Sequence, residues 1–246
     1  MTLIAGHRGA RNLWAENSRT GFLNLRQMPV EAVEFDIHLD GAGEIVVIHD
    51  ATLDRTTDHA GPVSALPAGA HRQVLLKDGH GDTIPTLADV LDIYKETPFE
   101  LHIELKTDAN ALPYAGLEAK TIALVTALGI ADRCVLTSFD LGVLQTLKTL
   151  APHIRRLSSY DRKGADRDGV LVGLQKRLDL VDILAVEKSL LGAHWDIFAQ
   201  HVPLERLGAW VTNTPADLEK WMSCGLRQIT TDNPDVALAV RKALTV

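Results

Sequence analysis

The amino-acid sequence predicts an α/β protein, and within that class a (β/α)₈ TIM barrel with a small insertion after strand two. Short runs with strand character alternate with helical stretches along the chain, which favours a parallel sheet. Eight strands and 246 residues suit a barrel of this kind. A doubly wound open sheet is the alternative, although no GxGxxG or GxxxxGK[ST] motif follows a strand. The predicted strands begin near residues 3, 32, 101, 134, 154, 182, 206 and 227.

The chain is expected to form a single barrel domain over residues 1–246, with residues 50–84 as a segment inserted into it. The inserted segment is rich in Gly, Pro, Asp and Thr and shows little periodicity. It is too long for an ordinary connection, so it is either functional or a small subdomain.

The composition argues against several kinds of partner. The formal net charge is −7 and no cluster of Lys and Arg stands out, which argues against nucleic acid. Cys134 and Cys224 are isolated and are expected to be structural thiols. The N-terminus lacks the basic region of a signal peptide, and no apolar stretch approaches the roughly 18 residues of a membrane span. We therefore expect a cytoplasmic protein without stable membrane association, and the oligomeric state stays open.

The first strand and helix are predicted near the N-terminus. Residues 3–6 are apolar, as in a buried parallel strand, and they lead directly into His7-Arg8. A helix then follows, with Asn17 or Ser18 as its N-cap, and is expected to end near residue 27.

Residues 31–50 predict a β-hairpin. From Val33 to Leu39 apolar and polar residues alternate, which places the acidic side chains together on one face. If the loop is the four residues 41–44, Asp36 lies opposite His49, and carboxylates share a small space with an imidazole. The alternative is a solvated sheet surface, which is how most alternating strands behave.

A second alternating strand follows the inserted segment and a capped helix. Thr86 and Asp89 resemble a capping box for a helix that ends near Lys95. Residues 100–106 then alternate like the first arm of the hairpin, with Glu104 on the polar face. Because two strands each place their polar residues on one side, a functional site is favoured over a solvent-exposed sheet surface.

Beyond this strand the elements alternate regularly, as a barrel requires. Active sites of such barrels lie at the C-terminal ends of the strands. Polar residues end the first three strands, and the hairpin returns a histidine to the same place, so these side chains are expected to converge at one mouth. The further strands are predicted at 135–138, 154–158, 182–187, 206–211 and 228–231, and the further helices at 114–128, 140–150, 169–179, 190–200, 215–224 and 234–244.

Short motifs follow one another along the chain in a familiar order. They are Gly6-His7-Arg8-Gly9-Ala10, Glu16-Asn17, Glu34-Phe35-Asp36, His49-Asp50 with Leu53-Asp54-Arg55-Thr56-Thr57, Ile84-Pro85-Thr86-Leu87, Ile103-Glu104-Leu105-Lys106, Trp210-x-x-Asn213 and Thr230-Thr231-Asp232-x-Pro234. Together they resemble the glycerophosphodiester phosphodiesterase family, in particular its bacterial cytosolic branch. Any one motif would be a weak signal, whereas the ordered set spans nearly the whole chain.

The resemblance implies divalent-metal-dependent hydrolysis of glycerophosphodiesters to glycerol 3-phosphate and an alcohol, in a barrel with an insertion after strand two. It also implies a role for each residue that matches a motif. Glu34, Asp36 and Glu104 would hold the metal, His7 and His49 would be the acid–base pair, and Arg8 and Lys106 would bind the phosphate.

The chemistry of these residue types supports the implied roles. Three carboxylates without cysteine form an oxygen-only site, which suits Mg²⁺ or Ca²⁺ better than zinc. Two imidazoles with ordinary pKa values near 6.5 can act as base and acid near neutral pH. Arginine and lysine can offset charge on the non-bridging phosphate oxygens. As in the family, the neighbouring glycerol hydroxyl could attack first and give a cyclic phosphate that water opens; which histidine acts first is left open.

The roles of three further residues are open to a structural or a functional interpretation. Asn17 is placed near the substrate by the motif, but helix capping explains it equally well. Trp210 is either core or a wall of the substrate pocket. Arg55 is expected to pair with Asp54 or Asp58 and so to brace the inserted segment.

A few positions lie outside the motifs or depart from them. His38 and His102 are expected to be structural, and Glu187-Lys188 is a candidate additional element of the site. Asn12-Leu13-Trp14 stands before Glu16 where the family commonly has a proline. This departure puts the substrate preference in doubt and leaves the implied metal and acid–base residues untouched.

Three functions are compared. The first is hydrolysis of a small, water-soluble glycerophosphodiester. The second is a phospholipase-D-like enzyme acting on lysolipids or sphingolipids, which would require an apolar mouth. The inserted segment offers only a short apolar cluster of Leu66, Val74, Leu75 and Leu76. The third is a non-catalytic barrel that binds phosphate or metal, against which the pair His7 and His49 argues, because binding alone does not require both.

Overall fold

The computed structural model describes residues 1–244, and these form a closed barrel of eight parallel strands surrounded by helices. A short ninth strand forms a hairpin with the second one. The strands are β1 (Leu3–His7), β2 (Ala32–Leu39), β3 (Ile45–Val47), β4 (Glu100–Leu105), β5 (Cys134–Ser138), β6 (Arg155–Tyr160), β7 (Ile183–Glu187), β8 (Leu207–Trp210) and β9 (Gln228–Thr231). The predicted fold class is therefore confirmed.

Pairing of β1 on both sides closes the barrel. Ala5 pairs with Ala32 of β2 and with Thr230 of β9, and both pairings are parallel. An open, doubly wound sheet would leave two unpaired edges, so that alternative is excluded. Closure also aligns the C-terminal ends of the strands, where the polar residues of β1, β2 and β4 lie.

The helices occupy the predicted positions with two differences. The stretch at 190–200 contains two short helices, because His194 leaves the helical region with φ −132° and ψ 33°. An additional helix follows β6, separated from the next one by Gly169 at φ +76°. The helices are α1 (Arg19–Leu25), α2 (Leu87–Tyr94), α3 (Leu117–Ala127), α4 (Leu141–Leu150), α5 (Arg162–Asp168), α6 (Val170–Leu178), α7 (Lys188–Ala193), α8 (Trp195–His201), α9 (Pro215–Ser223) and α10 (Pro234–Leu244).

The predicted register of the hairpin is wrong by one residue. Ile37 pairs with Val47, and the N–H of Ile48 donates to the carbonyl of Asp36, so Ile48 stands opposite Asp36 instead of His49. The loop has three residues, since Asp40 already pairs with Glu44 through its N–H at 3.0 Å. The difference in register does not separate the side chains of Asp36 and His49, which line the same cavity. This is because β3 ends at Val47, and His49 lies beyond the paired part of the hairpin.

The inserted segment packs on the face of the hairpin that carries Val46, opposite the face whose Val47 belongs to the main apolar core. Its apolar residues form a cluster of their own with side chains of β3 and the residue after it. The segment also returns close to where it began, because the N–H of Val47 donates to Pro85 at 2.8 Å and Val46 pairs with Thr86. Thr86 is the N-cap of α2 and forms the predicted capping box with Asp89. The cluster consists of Val46, Ile48, Leu53, Val63, Leu66, Val74, Leu76 and Ile84.

Alternation in β2 separates two environments, and both are buried. Val33, Phe35 and Ile37 belong to the main apolar core, which the helices cover. Glu34 and Asp36 point the other way, into the barrel, and are also buried. The solvated-surface reading of this strand is therefore wrong.

The N-terminal end of the barrel is closed by an ion-pair network on Glu100. Its carboxylate accepts two hydrogen bonds from Arg227 at 2.8 Å each, one from Arg155 at 2.6 Å and one from His102 at 2.6 Å. Burial alone would raise the pKa of Glu100, but the hydrogen bond and charge of His102 and the charge of Arg227 outweigh it and lower that pKa. The network links β4 with β6 and with the residue that precedes β9.

No helix among residues 1–244 combines the length and the apolar character needed to cross a bilayer.

Replacement of Glu100 by Gln is expected to lower the free energy of unfolding by about 2 kcal/mol at pH 7, because it removes a charge that four hydrogen bonds satisfy. The folded-state pKa of Glu100 lies below its unfolded value of about 4.3, so its contribution is present above that pH and is lost as the pH falls further. Urea unfolding at pH 7 and at pH 4 measures both. Exposed Glu96→Gln is the control; equal effects of the two substitutions would contradict the prediction.

Candidate active site

The candidate site is a cavity of about 280 Å³ at the C-terminal mouth of the barrel. Side chains from the first three barrel strands line it, together with a histidine that the hairpin returns. The structure thus brings together the residues predicted to hold metal, transfer protons and bind phosphate. They are His7, Arg8, Glu34, Asp36, His49, Glu104 and Lys106, and Trp210 lines the same cavity.

Three carboxylates form the floor of this site. Glu34 and Asp36 come from β2 and Glu104 from β4, and register in the sheet pairs Asp36 directly with Glu104. One oxygen from each lies within 4.8 Å of the others, and all three side chains are buried. Such a group of hard oxygen donors can hold a divalent cation.

Two cations lie against these carboxylates. The ammonium of Lys106 lies 2.6 Å from Glu104 and 3.3 Å from Asp36. The guanidinium of Arg8 lies 3.5 Å from Asp36, and the backbone N–H of Arg8 donates to Glu34 at 3.2 Å. Two positive charges therefore face three acidic groups within one buried cluster.

Burial and the neighbouring charges together shift the pKa values of the three acids. Burial, and then the charges of Asp36 and Glu104, raise the pKa of Glu34 well above its usual range. Burial also raises the pKa of Glu104, against the effect of Lys106. For Asp36 burial acts in the same direction, but the charges of Lys106, His49 and Arg8 outweigh it and lower its pKa. A cation among the three would offset the repulsion from Asp36 and Glu104 that contributes to the raised pKa of Glu34.

His7 is paired with the carboxylate of Asp232, the residue that follows the last strand of the barrel. Its Nδ1 lies 2.5 Å from Asp232, and its Nε2 lies 3.8 Å from Glu34. Asp232 in turn accepts a hydrogen bond from the amide of Asn213 at 2.7 Å. Burial lowers the pKa of His7, against the effect of Asp232. Asp232 therefore fixes the orientation of the ring and leaves Nε2 facing the cavity.

His49 has a carboxylate partner of its own. Its Nδ1 lies 2.6 Å from Asp50, while its backbone carbonyl lies 3.1 Å from Nε2 of His38. Burial lowers the pKa of His49 to about 4, against the effect of Asp36. His38 thus has the structural role that was predicted, and it acts by holding the backbone of a residue in the site.

Arg55 connects the inserted segment to both sides of the mouth. It donates to Asp50 at 2.6 and 3.0 Å and to Glu16 at 2.7 and 2.9 Å. The predicted partners Asp54 and Asp58 are wrong, because the guanidinium extends toward the barrel instead of along its own loop. Arg55 still braces the inserted segment, and it does so by binding Glu16 in the loop after β1.

Asn17 does not line the cavity, but it contacts a residue that does, and it does not cap α1. Its amide donates to Asp36 at 2.9 Å, while Ser18 is the N-cap. Asn17 has φ +55°, and Arg8 and Ala10 in the same loop have φ +51° and +70°. Left-handed backbone at three non-glycine residues is costly and is typical of loops that hold functional side chains.

Trp210 lines the cavity as a wall. Its indole N–H donates to the carbonyl of Ala185 at 3.0 Å, and its ring packs edge-on against Phe139 at 5.4 Å. Glu187 and Lys188 do not line this cavity; they line a neighbouring one that shares Trp210.

Four residues that hydrogen-bond to the predicted site residues, or to their partners, were not assigned this role from the sequence. They are Glu16, Asp50, Asn213 and Asp232. All four belong to the motifs that carry the resemblance. The motif positions were therefore the signal that could have found them, because neither periodicity nor spacing indicates which residues support the two histidines.

The sequence is similar to known proteins over nearly its whole length. The sequence profile of the glycerophosphoryl diester phosphodiesterase family matches residues 7–236. A glycerophosphodiester phosphodiesterase of Caldanaerobacter subterraneus subsp. tengcongensis is 28% identical, with 98% of each chain covered. One of Bacillus altitudinis is 26% identical over 99% of this chain and 100% of that one.

Solved structures show the same architecture. A crystal structure of a putative glycerophosphoryl diester phosphodiesterase from Agrobacterium tumefaciens has a TM-score of 0.90 at 27% identity and covers 100% of this chain and 99% of that one. An Oleispira antarctica phosphodiesterase in complex with the product sn-glycerol-3-phosphate has a TM-score of 0.80 at 24% identity, over 98% and 97% of the two chains. The predicted family resemblance is confirmed, and the chain belongs to the glycerophosphoryl diester phosphodiesterase family.

Proposed function

We propose that this enzyme hydrolyses small glycerophosphodiesters to glycerol 3-phosphate and an alcohol, in a reaction that depends on a divalent metal and two histidines. The observation that carries the proposal is one cavity that brings the carboxylates of Glu34, Asp36 and Glu104 together with the cations of Arg8 and Lys106. The same cavity is lined by His7 and His49, each of which is paired with an aspartate. Membership of the family supports the reaction class. The Oleispira antarctica phosphodiesterase, which binds sn-glycerol-3-phosphate, has the same fold and supports the nature of the product.

The donor set fits a hard divalent ion. Glu34, Asp36 and Glu104 offer oxygens within 4.8 Å of one another. Burial raises the pKa values of Glu34 and Glu104, and the charge of Asp36 raises both further. We propose Mg²⁺ or Ca²⁺ as the ion and the cytoplasm as the location of the enzyme. When bound, the ion would polarise a phosphoryl oxygen.

The protein side chains account for the remaining requirements of the reaction. His7 and His49 each keep Nδ1 on an aspartate, which leaves Nε2 of one to accept a proton from the attacking oxygen and that of the other to donate one to the leaving oxygen. Arg8 and Lys106 lie where they can offset the charge of the non-bridging oxygens. We propose Asn17 as a positioning residue for Asp36, and Trp210 as a wall of the substrate pocket.

His49→Ala is expected to lower kcat for glycerol 3-phosphate release from glycerophosphocholine at least about 100-fold, because general acid–base catalysis by one residue contributes about 10²–10⁴-fold. The matched control is His59→Ala: His59 also pairs with a neighbouring aspartate but lies exposed in the inserted segment. Equal activity of the two variants would exclude the proposed role of His49.

Metal removal should abolish turnover, and Mg²⁺ or Ca²⁺ should restore it. Glu104→Gln is expected to weaken binding of the ion, measured by isothermal titration without substrate, at least about tenfold through loss of one anionic ligand. Glu44→Gln, on the exposed turn of the hairpin, should bind as the wild type does. Full activity in EDTA would refute the metal dependence, and unchanged affinity in Glu104→Gln would remove that residue from the ligand set.

A comparison of glycerophosphocholine with lysophosphatidylcholine separates the remaining functions. The site opens into a cavity of about 280 Å³ with buried charges along its floor, so we expect the lipid-free diester to have the higher kcat/KM. Preference for the lysolipid would establish the phospholipase-D-like alternative. Binding of both without turnover, in protein replete with Mg²⁺ or Ca²⁺, would establish the non-catalytic barrel.

A further inference from the structure

The backbone of His49 is held by very few hydrogen bonds. The ladder between β2 and β3 ends at Val47, and the N–H of Ile48 makes the last hydrogen bond of the hairpin. Beyond that point the backbone of His49 makes one hydrogen bond within residues 1–244, in which its carbonyl accepts from Nε2 of His38 at 3.1 Å. The position of this histidine therefore depends on His38 as well as on Asp50, which holds its side chain.

His38 is a well-fixed support for this carbonyl. It belongs to β2, on the same face of the strand as Asp36, and it is almost completely buried. Its backbone is paired with Val46 in the hairpin ladder. Because a carbonyl oxygen can only accept a hydrogen bond, the proton between the two groups must sit on Nε2 of His38.

Tyr114 contacts the other nitrogen of the same ring. Its hydroxyl lies 2.9 Å from Nδ1 of His38, and the two rings meet edge-on with their centres 5.6 Å apart. Burial lowers the pKa of His38 to about 4 and raises the pKa of Tyr114 to about 12, so near neutral pH the imidazole is uncharged and the phenol keeps its proton. With its one proton on Nε2, the ring has an acceptor at Nδ1, and the hydroxyl of Tyr114 donates to it.

The loop that carries Tyr114 is closed by its own hydrogen bonds. The carboxylate of Asp108 accepts from the N–H groups of Asn110 and Leu112 at 2.9 Å each, and the N–H of Asp108 donates to the carbonyl of Leu112 at 2.8 Å. These bonds shape the loop between β4 and α3 without the tyrosine. Within the described part of the chain, the hydroxyl of Tyr114 makes no hydrogen bond except the one to the histidine ring.

We propose that Tyr114 and His38 form a hydrogen-bonded chain that positions His49 for proton transfer. The hydroxyl of Tyr114 orients the ring of His38, and that ring holds the carbonyl of His49. Both are positioning residues, since neither lines the catalytic cavity. The inference rests on the proposed function and adds to it two residues that lie outside the motifs of the family resemblance.

The first test is Tyr114→Phe, which keeps the ring and removes the hydroxyl. It should lower kcat for glycerol 3-phosphate release from glycerophosphocholine about threefold to tenfold, as expected for one neutral hydrogen bond, and leave KM within about twofold. The matched control is Tyr94→Phe, because the hydroxyl of Tyr94 also makes one hydrogen bond, to the carbonyl of Phe22 at 2.9 Å, but lies in the main apolar core. This control should leave kcat unchanged, and an unchanged kcat in Tyr114→Phe would overturn the inference.

Further variants show whether the effect passes through the named residues. His38→Leu should lower kcat at least about tenfold, because a misplaced catalytic group loses reactivity steeply. His38→Gln should retain most of the activity, since its amide can donate to one partner and accept from the other. Tyr114→Phe should have no further effect in His38→Leu, nor on the residual rate of His49→Ala. Equal rates for the Gln and Leu variants, or the same loss in the His49→Ala background, would overturn the inference, because a role in folding alone would produce them.

A measurement without substrate separates this inference from the proposed function. Nitrogen NMR of protein labelled at its histidine rings should show His38 as the neutral tautomer with its proton on Nε2. The Nδ1 signal of His38 should shift in Tyr114→Phe and stay in place in Tyr94→Phe. A proton on Nδ1 instead of Nε2 would overturn the inference while an active wild type leaves the proposed function standing. No release from any diester by the wild type would refute the proposed function itself.

Discussion

The charge imbalance at the barrel mouth is the constraint on which the site depends. Three buried acidic groups face two buried cations, and burial makes each uncompensated charge costly. Strict alternation along β2 and β4 is what delivers Glu34, Asp36 and Glu104 to the same side of the sheet. The remaining features of the mouth hold this cluster in place: the strained loop after β1, the amide of Asn17, and the aspartates behind the histidines.

Periodicity and element order were enough to predict the barrel and its mouth from the sequence. Alternation with a period of two is a local property, so it indicates which side chains share a face before any tertiary contact is known. The rule that barrel sites lie at the C-terminal ends of strands then brings His7 and Glu104 together across 97 residues of sequence. Helix limits were predicted closely where a capping residue marks them, as Thr86 does for α2.

What could not be predicted depends on geometry that only the folded chain has. The hairpin register depends on where a three-residue loop closes, and Gly41 and Gly43 both allow that closure at more than one position. The predicted partners of Arg55 were wrong because its long side chain reaches Asp50 and Glu16, which are 5 and 39 residues away in the sequence. Such distant pairs form only in the folded chain. Asp232 backs His7 from the far end of the chain, a pairing that exists only once β9 closes against β1.

The inserted segment begins and ends at nearly the same point of the hairpin, where Val47 bonds to Pro85 and Val46 pairs with Thr86. Segments whose ends are adjacent can be exchanged or lengthened without displacing the scaffold that carries them. Within the described chain, this segment contacts the predicted acid–base residues through Asp50, which pairs with His49 and is itself bound by Arg55. The rest of this segment can therefore be exchanged as a unit without displacing the barrel, provided that its replacement packs against Val46 and Ile48 of the hairpin.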